Sequence, residues 1–377
     1  MKRRVSSHYT LIDGKLERNI VVEVDDTGLI TNIIRSENID AMASVEFYPG
    51  ILIPGMINAH CHLELSYLRA AISEGGGYAT FAREIGRVRG NFSNEERIHA
   101  ASVSDATMWE QGIEAVADIA NDDLVMQVKE RSKIEYHTMF EFFGLNNSDV
   151  RSHEGLAHRY TNAGVTPHSI YSVQDKPFKH ICQAFSDKLS IHFMESDDES
   201  ALYHKQGSLW EWYERMGWEC DFLGYGSPAR RIAESLAPNS KVMLVHATRV
   251  TAEDVKTIDT ALPGSVTWVL CPESNRYISR FCPPYKMLSD MEAQIAIGTD
   301  SLASARELSM IDNMRLMEDI ALEKLLTWAT LNGAKALGIE DRKGSIEAGK
   351  RPGLVVIEGA DLASMKLTAE SVSHRII

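Results

Sequence analysis

Apolar and polar positions along this chain follow two rhythms. Between residues 50 and 300, apolar runs of strand length recur at Ile53–His62, Ile113–Ala120, Ile134–Phe143, Gly164–Val173, Leu189–Glu195, Lys241–Ala247, Ser265–Cys271 and Gln294–Thr299. The stretches between them, such as Glu95–Gln111, Ser208–Met216 and Thr251–Asp259, with Leu322–Leu337 after the last, space their apolar residues by three and four with charges between, as amphipathic helices do. A strand covered on both faces needs no alternation, so continuous apolar runs separated by helices point to a parallel sheet. Eight strand-helix units predict an α/β fold, a (β/α)8 TIM-like barrel over residues 50–342, with its active site where the strands end.

The two ends of the chain read differently. Residues 1–49 alternate short apolar runs (Tyr9–Ile12, Ile20–Val24, Leu29–Ile34) with Asp/Gly punctuation at Asp13-Gly14 and Asp25–Gly28, a hairpin signal. Lys343–Ile357 has the same turn-then-strand character. Because the ends resemble each other and not the middle, residues 1–49 and 343–377 are expected to meet in one small β-sandwich.

Polar residues stand out against the apolar runs of the middle. His60 and His62 lie two apart on the first run, so both point to one face and can reach one metal ion, while Cys61 points into packing. Surface or hydrogen-bonded core histidines are the competing reading of that pair alone. The fifth run supplies His192, with Glu195 three residues on, where a carboxylate can approach a metal-held water without being a ligand. The sixth ends in His246, and the eighth leads into Asp300, which could also cap a helix. His, His, His and Asp delivered in turn to strand ends favour a metal centre. Ser274, Asn275 and Arg276 follow the seventh strand and could bind hydroxyl or phosphate groups, or simply cap a loop. Glu64, Ser66 and Arg69 follow the first and could touch a polar substrate, or line a solvated loop.

Taken together, Pro54–His62, Pro167-His-Ser-Ile-Tyr-Ser-Val173, His192-Phe-Met-Glu195, His246, Cys271-Pro-Glu-Ser-Asn275, Gly298-Thr-Asp-Ser301 and Ala329–Gly338 resemble the amidohydrolase superfamily in its deaminase and chlorohydrolase branch. Within that branch His62-Leu-Glu-Leu-Ser66, Arg69 and the short length look most similar to aminodeoxyfutalosine deaminases. The resemblance implies that His60, His62, His192 and Asp300 hold one divalent metal, Zn2+ or Fe2+. It implies that Glu195 moves a proton from water to a ring nitrogen, that His246 stabilises the charge developing on attack, and that Asp300 accepts a second proton. Relatives with two metals carry a lysine near the fourth strand, and residues 134–175 contain none, so one metal is expected. His168 and Tyr171 fall where the resembling enzymes contact substrate. Ala247-Thr248-Arg249 and Ala305 depart from the usual pattern, which leaves substrate identity open.

Charge and cysteine usage narrow the partners. Fifty-three acidic residues against 39 basic ones give a formal charge of −14, which repels nucleic acid and anionic membrane. Five cysteines without Cys-x-x-Cys spacing suggest neither a disulfide framework nor a zinc knuckle. With no apolar signal core after Met1–Arg4, a cytoplasmic enzyme acting on a small molecule is expected, as a homodimer by the resemblance. The leading expectation is hydrolytic deamination of an amino-substituted, purine-like compound, with 6-amino-6-deoxyfutalosine as candidate. Chlorohydrolase or amidase and cyclic amidine chemistry compete with it, as does a catalytically silent scaffold. Glu195 and His246 together favour ammonia, which must be protonated to leave, over chloride.

Overall fold

The computed structural model describes residues 2–36 and 44–377. Fifteen strands appear among them: β1 (Arg3–Ile12), β2 (Lys15–Glu17), β3 (Ile20–Val24), β4 (Ile30–Arg35), β5 (Val45–Pro54), β6 (Met56–Cys61), β7 (Ile113–Ala120), β8 (Glu135–Phe142), β9 (Ala163–Pro167), β10 (Leu189–Phe193), β11 (Val242–His246), β12 (Val266–Leu270), β13 (Ile295–Ile297), β14 (Leu354–Glu358) and β15 (Val372–Arg375). Each of the eight apolar runs contains one parallel strand. Two of the runs differ from expectation. The first is broken at Gly55, whose chain neighbours belong to different sheets, and the fourth stops being a strand at Pro167, where proline offers no ladder donor.

The eight strands form two parallel quartets, β6-β7-β8-β9 and β10-β11-β12-β13. They meet through single parallel bridges, Ser169 with His192 on one side and Cys61 with Asp300 on the other. The second seam is tied by side chains as well: the Asn58 amide donates to Thr299 Oγ1 at 2.7 Å, and the Asp300 N–H donates to the His60 carbonyl at 3.0 Å. Gly298 permits this closeness, since a Cβ there would stand 2.8 Å from the His60 Cβ. Small apolar residues at alternate strand positions, among them Ile57, Ala59, Ala117, Val245, Val269 and Ala296, pack against one another in one buried cluster. The residues between them face the helices in a larger core. Burying this apolar surface, at about 25 cal/mol per Å2, is the main favourable term in such a body.

The terminal strands fall in one seven-stranded sheet of order β15-β14-β5-β1-β3-β4, with β2 paired to β1. Strand β5 pairs parallel with β1 and antiparallel with β14, so the two ends of the chain do meet. From β5 the chain passes through Gly55 into β6, delivering His60 and His62 directly.

Candidate metal and active site

Four polar side chains converge at the strand ends. Nε2 of His62 lies 3.4 Å from Nε2 of His192 and 3.7 Å from Oδ1 of Asp300, and Nε2 of His60 lies 3.8 Å from the same carboxylate oxygen. All four residues are buried. Nε2 of His60 has no hydrogen-bond partner among the described residues. Burial, reinforced by neighbouring histidines, pushes the His60 imidazole well below its ordinary pKa, and burial pushes His62 to about 4, so both rings are neutral with a free lone pair at pH 7. A metal ligand must be in that state. Ligand bonds of about 2.0–2.2 Å place tetrahedral donors roughly 3.3–3.6 Å apart, close to the spacing observed. This donor set fits a divalent ion.

The supports of these side chains are fixed by the fold. The His192 backbone N–H donates to the His168 carbonyl at 2.9 Å, and its Nδ1 lies 3.0 Å from the same oxygen. Holding the proton on Nδ1 leaves Nε2 to face His62 and Asp300. Ser274 and Ser304 hydroxyls donate to Asp300 Oδ2 at 2.5 and 2.8 Å, leaving Oδ1 for the histidines. Met194, His246, Ala247 and Asp300 adopt φ values of 51°, 75°, 49° and 58°. Non-glycine residues pay for such left-handed backbone with strain, and here the strain clusters where three strands turn their polar residues inward.

Glu195 and His246 face each other beside this cluster, with Oε1 and Nε2 3.9 Å apart. The Asn275 amide lies 3.1 Å from Nδ1 of His246. Glu195 is aimed by the Glu199 carboxylate, which accepts the N–H groups of Met194, Glu195 and Ser196 at 2.7, 2.6 and 3.2 Å. Burial, with Asp300 and Glu199 adding to it, raises the Glu195 carboxyl well above its ordinary value. A divalent cation among the histidines acts in the opposite sense.

The cluster opens into a cavity of about 410 Å3. His168 and Tyr171 line it. Ser274 and Asn275 stand one layer back, touching Asp300 and His246 instead, and Arg276 is exposed on the helix Pro272–Ser279, outside the cavity wall. Of the residues expected after the first strand, Glu64, Ser66 and Arg69 are not among those lining this cavity. A tight helical turn, Leu63–Leu68, follows His62 and carries Ser66 and Arg69 to a separate pocket with His99 and Leu308. Glu64 is buried and grips Asn121, accepting from its N–H at 2.9 Å and its side-chain amide at 2.8 Å. Asn121 itself lines the cavity.

Sequence reasoning missed Glu141, Tyr78 and the aromatic wall of Trp212, Tyr213 and Trp218. Glu141 stands 3.6 Å from Nδ1 of His192, and burial followed by the Glu64 charge lifts its carboxyl to about 8. A lone acid near the end of the apolar run Ile134–Phe143 was the available signal, the same one that marks Asp300. Tyr78 sits on a helix remote in sequence, Tyr78–Val88, and is joined to Tyr171 by a hydroxyl-hydroxyl hydrogen bond. No motif announces it.

A family model described as the amidohydrolase family matches residues 51–374. The chain belongs to the amidohydrolase family. This amidohydrolase is 26% identical over 345 residues to a 5-methylthioadenosine/S-adenosylhomocysteine deaminase of Teredinibacter turnerae, covering 83% of this chain and 73% of the relative. It is also 26% identical over 332 residues to an adenosine deaminase of Helicobacter pylori, covering 82% and 79%. Among solved structures, an aminofutalosine deaminase of Helicobacter pylori in complex with methylthio-coformycin superposes with a TM-score of 0.82 at 22% identity over the full length of both chains. Atrazine chlorohydrolase of Arthrobacter aurescens TC1, complexed with zinc, superposes at 0.75 with 17% identity, covering 97% of this chain and 90% of the other. These likenesses establish the amidohydrolase fold. Among the described residues no helix is long and apolar enough to cross a membrane.

Proposed function

We propose that this amidohydrolase is a metal-dependent deaminase that hydrolyses the exocyclic amine of an adenosine-like nucleoside and releases ammonia. The observation that carries the reading is the facing pair Glu195 and His246 beside the cluster of His60, His62, His192 and Asp300, with both members of the pair lining the wall of a cavity of about 410 Å3. Relatives named as adenosine and 5-methylthioadenosine/S-adenosylhomocysteine deaminases support the same substrate class.

His60, His62, His192 and Asp300 would hold one ion, zinc in the first instance with ferrous iron as the competitor. Such an ion, when bound, lowers the pKa of a water from about 15.7 to about 7 and so supplies the nucleophile at neutral pH. The remaining chemistry belongs to side chains. Glu195 takes a proton from the attacking water on one carboxylate oxygen and delivers it to a ring nitrogen beside the carbon under attack. With the Asn275 amide donating to its Nδ1, His246 keeps a proton on Nε2 and directs it at the oxygen on which charge develops. Asp300 accepts the second water proton, which passes to the amine so that it leaves as ammonia. Overall, water and an aminopurine become the oxo compound and ammonia. His168 and Tyr171 hold the heterocycle, with Asn121 and Glu141 offering further polar contacts.

The same reading takes residues 50–342 as a closed (β/α)8 barrel, residues 1–49 plus 343–377 as a terminal β-sandwich, and the active form as a homodimer. The test is ammonia release from adenosine, 5-methylthioadenosine, S-adenosylhomocysteine and 6-amino-6-deoxyfutalosine by zinc-loaded protein, beside chloride release from their 6-chloro analogues. Deamination of at least one amine with kcat/KM far above that of its chloro analogue is expected. Comparable values for the two leaving groups, or activity confined to N-acyl amino acids, would overturn the deaminase reading and leave the family untouched.

A further inference from the structure

Helix Pro228–Ser235 carries two consecutive arginines with opposite fates. Arg230 is exposed and pairs with Glu234, one turn on, at 3.0 Å. Arg231 is fully buried. Its guanidinium carbon lies 4.4 Å from the ring centre of Phe178 and 4.0 Å from that of Phe222. One terminal nitrogen donates to the Val173 carbonyl at 2.8 Å and the other to the Ile170 carbonyl, while Nε has no partner among the described residues. Among the described residues no carboxylate forms an ion pair with this cation, and Asp175 acts on it only from a distance.

Taking a cation out of water costs several kcal/mol, and an apolar side chain of similar volume would fill the same space without that cost. Two aromatic faces offset part of it. What arginine offers beyond a methionine is a planar fork that can hold two carbonyls at once in fixed relation. The two carbonyls it holds are three residues apart, in the segment 168–173 that leaves the sheet at Pro167. Tyr203 adds a second donor to the Ile170 carbonyl at 3.3 Å, and Tyr213 donates to the Tyr171 carbonyl at 3.1 Å. At its other end the same segment presents the His168 carbonyl to the backbone and ring of His192.

We propose that Arg231 is a positioning residue: it fixes the curvature of segment 168–173, and through it both the proton placement on His192 and the seat of Tyr171 in the cavity wall. The link to His192 rests on the ligand role assigned to that residue above. The fixing of the segment does not.

Hydrogen exchange of zinc-loaded protein, read on peptides covering residues 166–175, tests the proposal without any substrate, so an error in the deaminase reading leaves the result intact. In Arg231→Met the bonded amides of this segment are expected to exchange about tenfold faster, as losing a hydrogen bond to a charged donor implies. Peptides of the terminal sheet should not change. Zinc affinity, measured by chelator competition, should fall about tenfold, the lower end of what losing an outer support of a ligating histidine causes. Arg231→Lys keeps the charge but not the fork and should give the same pattern. Tyr203→Phe, which keeps Arg231 but removes the second donor to Ile170 along with the hydroxyl beside the guanidinium, should give a weaker one. If the methionine variant does not fold, the lysine and phenylalanine variants decide by the same criteria. Unchanged exchange across 168–173, or a rise of equal size throughout the chain, would overturn the proposal; faster exchange there with unaltered zinc affinity would overturn its extension to His192 and leave the fixing of the segment standing.

Discussion

In the terminal sheet, charges at the surface find partners within the sheet. Arg3 meets Glu46 at 2.7 Å, Arg4 meets Glu23 at 2.9 Å, Arg35 meets Glu17 at 2.9 Å, and the buried Ser6 and Ser7 hydroxyls donate to the Ile20 and Gly50 carbonyls. At the ends of the eight parallel strands the opposite holds. His60 Nε2, His62 Nδ1 and Glu141 Oε1 are buried without a hydrogen-bond partner among the described residues, and the backbone of Met194, His246 and Asp300 is strained. A buried polar atom without a partner costs about 1–3 kcal/mol; among the described residues the terminal sheet has one such atom, Thr10 Oγ1, whereas three gather at the strand ends, where a bound group can complete them. The contrast separates a region built for stability from one that spends it once for chemistry.

Substitutions can break or sharpen that contrast, and they rank by size. His60→Ala and Asp300→Ala each remove a proposed ligand, and turnover is expected to fall to background with zinc lost on elemental analysis; full occupancy in both would remove the ligand assignment. Glu195→Gln keeps the shape and should keep zinc, but kcat should drop by about 10^2–10^4, the range for a lost general acid-base. Near-normal kcat would make Glu195 structural. Ser274→Ala leaves Ser304 alone on Asp300, and zinc affinity by chelator competition should fall about tenfold, with no loss if Ser304 suffices. Arg35→Ala in the terminal sheet breaks an exposed pair, and urea unfolding should shift by no more than about 1 kcal/mol with kcat/KM unchanged. A clear loss of turnover there would mean the two regions are coupled.

The eight strands were legible because each is buried on both faces and therefore apolar without interruption. The inward-turned residues were legible for the same reason, since His192, His246 and Asp300 each interrupt or end an apolar run. Where a run continued past its hydrogen bonds, the pattern misled: Ile170 and Tyr171 are buried by helices, not by a ladder, so the apolar signal outlasts β9. Glu64, Ser66 and Arg69 sit at the right sequence position, but the turn after His62 rotates them away from the cavity, and rotation is not written in a composition of polar residues. Tyr78 and Trp212 reach the cavity from helices, and Trp218 from the loop that follows the second of them, so their position depends on how those helices lie across the strand ends.

The seam where Cys61 bridges Asp300 joins the first parallel strand to the last, and the Asn58–Thr299 bond across it spans 241 residues. Viewed along the direction of synthesis, the donor set is assembled from both ends of the body. A growing chain has three of its histidines by residue 192, yet the carboxylate that completes the set appears only with the final strand. On the proposed ligand assignment, pairing of the first parallel strand with the last and completion of the donor set are thus the same event, and it comes late: the ribosome has passed residue 300 before either can occur.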